Sequence, residues 1–265
     1  MIYPSEWSWK EVDHQKALAK YRERFSDASD FAFSIVGAFD IEEMKGLVQK
    51  YLGNLPSTDR EESWKNLNIL PFPGKITKKT KKGLAPKTQV HLYYHGPFEY
   101  DSDKSYRLSS MIEYLRIKLR EELREDKGGV YGVNIYGGAS KIPNEIYGIT
   151  IAFNSDPERT DELIAAAHDV IKKAKSEGPS DEDLNKVKEL QRQAKIKNMK
   201  ENNYWLRQIE NKHRYGDSME SILMPAFDLK VDSLTKEDIR DYAVKYFNSN
   251  YYLEIVMDPS DTPQN

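Results

Sequence analysis

An apolar stripe repeats every three or four residues through the middle of the chain, and this feature constrains the fold more than any other. Its spacing predicts a long amphipathic helix that begins after Asp101 and carries charged residues on the opposite face. Because a helix must bury its apolar face on a second layer of structure, the stripe indicates a layered domain with one core. The stripe comprises Leu108, Ile112, Leu115, Leu119 and Leu123.

Segments rich in β-branched and aromatic residues lie on both sides of this helix and predict strands. They comprise residues 31–39, 89–95, 131–139, 146–153 and 251–257. Helical spacing and capping residues predict further helices. These comprise residues 9–25, 40–52, 157–174, 180–215 and 235–246. Strands in runs with helices between them predict an α+β fold, a two-layer α/β sandwich with helices on one face of a mostly antiparallel, mixed sheet.

The length of the chain, 265 residues, allows one or two domains. We predict a single domain over residues 1–265. It begins with an entry helix and linker, followed by an opening strand and helix. A connection rich in charge, proline and glycine, with one extended piece near residues 74–79, leads into the main α/β core and a short tail. These five parts comprise residues 1–30, 31–56, 57–88, 89–258 and 259–265.

The composition excludes several classes of site and partner. The chain has no cysteine, which excludes disulfides, thiolate zinc sites and cysteine nucleophiles. With 40 basic and 43 acidic residues, the chain gives no electrostatic reason to expect nucleic acid or an anionic membrane as a partner. No apolar run approaches the roughly 20 residues needed to cross a bilayer, and the first residues lack the regions of a secretory signal. We therefore expect a soluble protein whose compartment the sequence leaves open.

Two of the five histidines, His91 and His95, have a spacing that invites a metal site. On a helix, residues four apart share one face and can bind one zinc ion. The local sequence predicts a strand, however, where the two residues lie roughly 13 Å apart, too far to share one ion. We therefore predict no metal site in this chain. Glycine and serine patterns for a nucleophile elbow, a phosphate loop or a dinucleotide turn are also absent.

Arg124 and Tyr131 lie on either side of the end of the long helix and are the candidate binding residues. Gly128 and Gly129 break the helix between them, and Tyr131 opens the next predicted strand. A guanidinium and a phenol that converge on one point can donate hydrogen bonds to a carbonyl, or to an oxyanion developing from it. The alternative is structural: Arg124 lies near the negative end of the helix dipole, and Tyr131 packs at the start of a strand.

The segment from Arg124 to Tyr131, Arg-Glu-Asp-Lys-Gly-Gly-Val-Tyr, resembles the Arg-Glu-x-x-Gly-x-x-Tyr element of the M16 zinc peptidases, the pitrilysin and insulin-degrading group. Residues 31–56, which end in Tyr-Leu-Gly-Asn-Leu-Pro, are similar to the strand and helix that open the family's non-catalytic domain. Residues 152–159 and 177–184 fall where the family places a strand-to-helix turn and the next helix start. The resemblance covers nearly the whole chain and implies the fold of M16 domains, also called LuxS/MPP-like.

The resemblance also implies a divided active site. Proteins of the family have two clam-like halves around a chamber, with zinc in the first half on a His-x-x-Glu-His helix. That motif is absent here, since the segment His91-Leu-Tyr-Tyr-His95 has Tyr94 in place of the glutamate. Carried over to this chain, Arg124 and Tyr131 would bind the scissile carbonyl or the tetrahedral oxyanion of a peptide substrate. No catalytic residue, metal or cofactor is expected in this chain alone.

We therefore predict the substrate-binding C-terminal domain of an M16-type zinc metalloendopeptidase, which is inactive alone. The expected partners are the N-terminal zinc-bearing half of the same protein and a peptide substrate. For the parent protein, the bacterial periplasm or cell envelope is the candidate location. Two alternatives stay open: a non-catalytic structural or assembly subunit of the same fold, and an unrelated binding module in which Arg124 and Tyr131 are buried structural residues.

Overall fold

The computed structural model describes residues 9–260, apart from the side chain of Tyr131. These residues form two compact units. The smaller unit comprises the described residues up to Lys65 together with Asn202–Glu210, and the larger comprises Asn66–Glu201 and the described residues from Asn211 onward. The helices are α1 His14–Phe25, α2 Ile41–Tyr51, α3 Ser102–Arg120, α4 Thr160–Ser176, α5 Asp181–Asn198, α6 Asn202–Tyr215, α7 Met224–Ser233 and α8 Lys236–Tyr246.

The larger unit is built on one five-stranded mixed sheet. Its strands are β1 Gly74–Lys81, β2 Thr88–Pro97, β3 Val130–Ser140, β4 Ile146–Ser155 and β5 Tyr251–Asp258. Their order across the sheet is β1-β5-β2-β4-β3. Only the pairing of β1 with β5 is parallel, while β2 pairs antiparallel with both β4 and β5, and β3 with β4. The predicted α+β fold with a mostly antiparallel, mixed sheet is confirmed.

The core lies between this sheet and the helices on one of its faces. Side chains alternate along β2, where Val90 and Leu92 are buried and Gln89 and His91 are exposed. This period of two is typical of a strand covered on one side. The apolar stripe of α3 meets the buried face, and Leu115 in its middle has no exposed surface. The stripe thus became the helical half of a two-layer core, as predicted.

The predicted strand over residues 31–39 is wrong. The backbone there has no regular secondary structure, and Phe33 and Ile35 are about half exposed. A strand is stable only when its backbone groups pair with a neighbour. The described residues of the smaller unit provide no neighbouring strand, so a sequence with the right local pattern remains unpaired. The helix predicted to follow it does form, as α2 behind the N-cap Asp40.

The predicted single helix over residues 180–215 is also wrong, since it divides into α5 and α6. The break lies at Met199–Glu201, and Asn198 and Asn202 stand on its two sides. Asparagine favours helix ends over helix interiors because its side chain competes for backbone hydrogen bonds. The N-terminal boundary was predicted correctly: the Ser180 hydroxyl accepts a hydrogen bond from the Asp183 backbone N–H at 3.0 Å. Helix α7 was not predicted at all.

In the smaller unit, a buried carboxylate joins two loops. Asp27, just after α1, accepts hydrogen bonds from the backbone N–H of Ser29 at 2.9 Å and from the hydroxyls of Ser29 and Thr58. The Ser29 hydroxyl in turn accepts from the backbone N–H groups of Thr58 and Arg60, both at 3.2 Å. The carboxylate therefore holds together two segments that are distant in the sequence.

Acidification should release this junction. Hydrogen bonds from Ser29 and Thr58 hold the pKa of the Asp27 carboxyl well below its usual value. A carboxyl with a lowered folded-state pKa contributes stability above the ordinary aspartate value of about 3.9, and this stability is lost as the pH falls toward the folded-state pKa. We expect the Ser29 amide to exchange faster with solvent, after correction for its intrinsic exchange rate, as the pH drops below about 3.9.

Hydrogen exchange followed by NMR checks this, with Asp27→Asn and Asp30→Asn as a matched pair. Asp30 is exposed and makes none of these hydrogen bonds. Asp27→Asn should remove the pH dependence of Ser29 exchange, whereas Asp30→Asn should retain it. Equal pH dependence in Asp27→Asn and the unmodified chain would show that the carboxylate does not hold the two loops.

Candidate functional site

Arg124 lies on a π-helical turn. Helix α3 continues without a break from Arg120 into the wider turn Glu121–Asp126. Single π-helical turns are rare and are frequent at functional sites, because the extra residue per turn redirects the side chains that follow. Leu123 has no exposed surface and fixes this turn to the core, while its neighbour Arg124 is exposed. The turn therefore places the Arg124 guanidinium outside the core, next to the residue that anchors the turn.

The chain reverses direction directly after this turn. The backbone N–H of Lys127 donates to the Glu122 carbonyl at 3.1 Å, and that of Gly129 donates to the Leu123 carbonyl at 3.2 Å. Gly128 between them has a φ of 57°, in the left-handed region that favours glycine. The two glycines predicted to break the helix do so, and β3 begins at the next residue, Val130.

A second turn supports the first. Arg159, in the 3₁₀ turn Pro157–Arg159 between β4 and α4, donates from both terminal guanidinium nitrogens to the Lys127 carbonyl at 3.3 Å. Its Nε also donates to the Glu162 carboxylate at 3.2 Å, and this pairing raises the pKa of Arg159. Arg159 thus holds the reversal after Arg124 against the strand-to-helix turn. The local sequence around Arg159 gives no signal of this role, because Lys127 is 32 residues away in the chain.

A cavity of about 450 Å³ opens between these two turns. Arg124 and the glycine reversal form one side of it, and Asn154–Asp156 at the end of β4 forms another. Its volume lies in the range of sites that hold a small ligand or a few residues of a peptide. Among the described residues, no carboxylate lies within 4 Å of the Arg124 guanidinium, although its neighbour Arg120 pairs with Glu125 at 3.3 Å. The guanidinium therefore has its donors available beside the cavity.

Tyr131 lies in β3, and its side chain is outside the described part of the structure. Its convergence with Arg124 therefore stays a prediction. The pairing of β3 with β4 has a register shift between Val130 and Val133, which spans Tyr131. Irregularities of this kind change the direction in which side chains leave a strand and are common beside binding sites.

His91 and His95, the two histidines with a spacing that invites a metal site, both lie in strand β2, as predicted. His91 is exposed, and His95 is buried with its ring stacked on Tyr93 at a centroid distance of 4.9 Å. Burial lowers the pKa of His95. Over residues 9–260, no group of three or more histidine, aspartate or glutamate side chains is arranged to hold a metal ion. The described residues therefore do not fit a zinc site.

Gly129 is the position where the turn and the core approach most closely. A Cβ atom at this position would lie 2.6 Å from Cδ2 of Leu163 and 3.3 Å from Nη1 of Arg159. Leu163 has no exposed surface and little room to move. We expect Gly129→Ala to lower the free energy of unfolding by about 1–2 kcal/mol, through overpacking. Urea denaturation of Gly129→Ala and the unmodified chain measures this change in the free energy of unfolding.

Gly132→Ala is the control for this substitution, because a Cβ atom there meets nothing within 4 Å. It should shift the urea midpoint much less than Gly129→Ala. If both variants unfolded at the same urea concentration, the close packing of the reversal against α4 would be disproved.

Comparison with known proteins places this chain in a family. The sequence profile of the peptidase M16 inactive domain matches residues 14–191, more than half of the chain. The chain belongs to this family. Among its relatives, an Arabidopsis thaliana protein described as zinc protease PQQL-like is 28% identical over 214 residues, which cover 76% of this chain and 22% of that protein. The probable zinc protease PqqL of Escherichia coli is 29% identical over 180 residues, 65% of this chain and 19% of that protein.

Solved structures of M16 proteins show the same fold. The periplasmic protease PqqL of Escherichia coli superposes on 97% of this chain, and on 28% of its own chain, with a TM-score of 0.77 at 21% identity. The ferredoxin protease FusC, solved in complex with Arabidopsis ferredoxin, covers 98% of this chain and 28% of its own with a TM-score of 0.72 at 17% identity. This M16 domain spans about a fifth of the length of the curated relatives that it matches. None of its described helices is long and apolar enough to cross a membrane.

Proposed function

We propose that this M16 domain binds peptide substrate beside a zinc centre carried by another half of the same protein. The observation that carries the proposal is the position of Arg124, which lines a cavity, lies on a π-helical turn anchored by the buried Leu123, and has no carboxylate partner among the described residues. An arginine that lines a cavity and makes no ion pair is suited to bind a carbonyl, a carboxylate or an oxyanion. The relatives described as zinc proteases support a peptide as the ligand.

The guanidinium would act by donating hydrogen bonds to the peptide. As water attacks the scissile carbonyl, negative charge develops on its oxygen, and fixed donors stabilise that charge more than they stabilise the ground state. Tyr131 would donate a second hydrogen bond from its hydroxyl to the same oxygen or its neighbour. The turn that holds Arg124 is anchored by Leu123 and by the bonds of Arg159, so the donor needs little reorganisation during the reaction.

The zinc-bearing half is the proposed partner of this domain. In that half, zinc would activate the attacking water, and a glutamate would accept its proton. The described residues of this chain provide no site for the metal, so they would contribute binding and orientation alone. The parent protein is proposed to work in the bacterial periplasm or cell envelope, and this is supported by the PqqL protein of Escherichia coli, which is described as periplasmic.

Peptide hydrolysis tests this division of labour. The chain is assayed with added zinc alone, and then mixed with an M16 half that contains His-x-x-Glu-His and is encoded in the same reading frame. We expect no cleavage by either part and cleavage by the mixture. Cleavage by this chain alone would overturn the proposal. Association of the two parts without cleavage of any peptide in a random library would favour an assembly subunit instead.

A further inference from the structure

A second cleft in the larger unit shares no residue with the Arg124 cavity. It has a volume of about 390 Å³ and lies between helix α4 and strands β1, β2 and β5. Its walls carry three lysines from two separate elements: Lys75 from β1, and Lys172 and Lys175 from α4. The polar lining also includes His168 of the same helix, Ser249 and two tyrosine hydroxyls. Nothing in the function proposed above uses this cleft.

The three ammonium groups have no ionic partner among the described residues. No carboxylate lies within 4 Å of Lys75, Lys172 or Lys175, although many other lysines of the chain are paired. Lys175 is partly buried and donates to the Phe247 carbonyl at 2.5 Å, and burial lowers its pKa. The Lys75 ammonium lies 5.9 Å from the centre of the Tyr252 ring, so it is directed over the same wall. The three ammonium groups are therefore not neutralised by an ion pair, while the Glu254 carboxylate at the same wall lies 4.0 Å from Nε2 of His168.

Hydrogen bonds define the state of His168. The Tyr252 hydroxyl donates to the Glu254 carboxylate at 2.6 Å, which leaves its oxygen to accept from Nε2 of His168 at 3.2 Å. Nδ1 of the neutral imidazole then accepts from the Tyr94 hydroxyl, also at 3.2 Å. Burial lowers the pKa of His168. The positive charges of Lys75 and Lys175 lower this pKa further, whereas the carboxylates of Glu254 and Asp169 raise it. The pKa of His168 therefore depends on the charges in and around the cleft.

We propose that this cleft binds a small oxyanion, a carboxylate or a phosphate, between Lys75, Lys172 and Lys175. An oxyanion supplies the negative charge that the three ammonium groups lack, and the partly buried cleft screens the attraction less than open solvent does. It also reverses the electrostatic effect of the lysines on His168, because a negative charge nearby favours the protonated imidazole. Only Lys175 belongs to the last turn of α4, so pairing with the helix dipole does not account for Lys75 on β1.

NMR titration of the histidine ring signals tests the proposal in the 265-residue chain. Inorganic phosphate, acetate and potassium chloride are added in separate series at constant ionic strength, and His168→Gln assigns the His168 signal among the five histidines. We expect saturable shifts of His168 with phosphate or acetate, with a dissociation constant of roughly 1 mM, and a higher pKa of His168 at saturation. Saturation by phosphate alone identifies a phosphate site, and saturation by acetate identifies a carboxylate site.

The double variant Lys75→Gln/Lys172→Gln should weaken binding by about tenfold or more, because each removes one charge next to the anion. Both side chains are exposed, so the fold should tolerate the change. Lys197→Gln/Lys200→Gln, which replaces two exposed lysines at and just after the end of α5, is the control for the same change in net charge and should bind as the unmodified chain does. Shifts that do not saturate with either anion, or equal affinity in the double variant, would overturn the proposal.

Discussion

Replacing Arg124 with alanine is expected to lower kcat/KM for peptide hydrolysis by about 10²–10³-fold in an enzyme that joins this domain to the proposed zinc-bearing half. The guanidinium is exposed at a cavity and makes no ion pair among the described residues. Its removal therefore takes a hydrogen-bond donor from the substrate and leaves the domain's own contacts intact. The loss should appear mainly in kcat if the bond forms in the transition state, and mainly in KM if it only binds the peptide.

Arg120→Ala is the matched control. Arg120 ends α3, is also exposed, and pairs with Glu125. It should change kcat/KM by less than about twofold, because exposed ion pairs contribute little. Tyr131→Phe, which removes only a hydroxyl, should lower turnover in the same way as Arg124→Ala. Equal rates for Arg124→Ala and the unmodified enzyme would remove Arg124 from the site, even with the fold intact.

Gly137→Ala is expected to lower the free energy of unfolding of the larger unit by about 2–3 kcal/mol, since it forces two paired strands apart. A Cβ atom at Gly137 would lie 2.1 Å from the Gly148 carbonyl oxygen and 2.8 Å from Cα of Ile149. Both neighbours are backbone atoms of β4, so no side-chain rotation relieves the contact. Because β3 also carries the residues after the Arg124 turn, the effect on the sheet should spread to the candidate site.

The adjacent glycine provides the control for this prediction. A Cβ atom at Gly138 meets nothing within 4 Å, so Gly138→Ala should change the denaturation midpoint only slightly. The two substitutions add the same methyl group to neighbouring positions of one strand. A similar loss of stability in both would mean that the approach of β3 to β4 is not as close as described.

Local periodicity correctly predicted the elements that form without a partner from a distant part of the sequence. The stripe from Leu108 to Leu123 lies within α3 and the π-helical turn that continues it, and its burial follows from its spacing. The segment at residues 31–39 has an equally clear strand pattern, but a strand depends on a neighbour that the sequence does not name. Strand β1 shows the reverse case: it is mostly exposed and rich in lysine, yet it pairs with β5 along its whole length.

The sequence predicted which residues belong to the candidate site but not the turn and the hydrogen bonds that position them. Arg124, the two glycines and the helix end were all apparent from residue types and from the resemblance to M16 peptidases. The π-helical turn was not, because an i to i+5 hydrogen bond leaves no signature in composition. The bonds from Arg159 to the Lys127 carbonyl join residues that are distant in sequence, and only the folded chain brings them together.

The distance between Arg124 and a bound peptide decides whether this domain binds substrate beside the zinc centre. It is measured in a crystal structure of the assembled enzyme, with the glutamate of the His-x-x-Glu-His helix replaced by glutamine so that the substrate stays intact. We predict that a guanidinium nitrogen of Arg124 lies within about 3.2 Å of a carbonyl oxygen of the peptide bound at zinc. A peptide bound at zinc whose carbonyl groups make no hydrogen bond to Arg124 would contradict the proposed role of this domain.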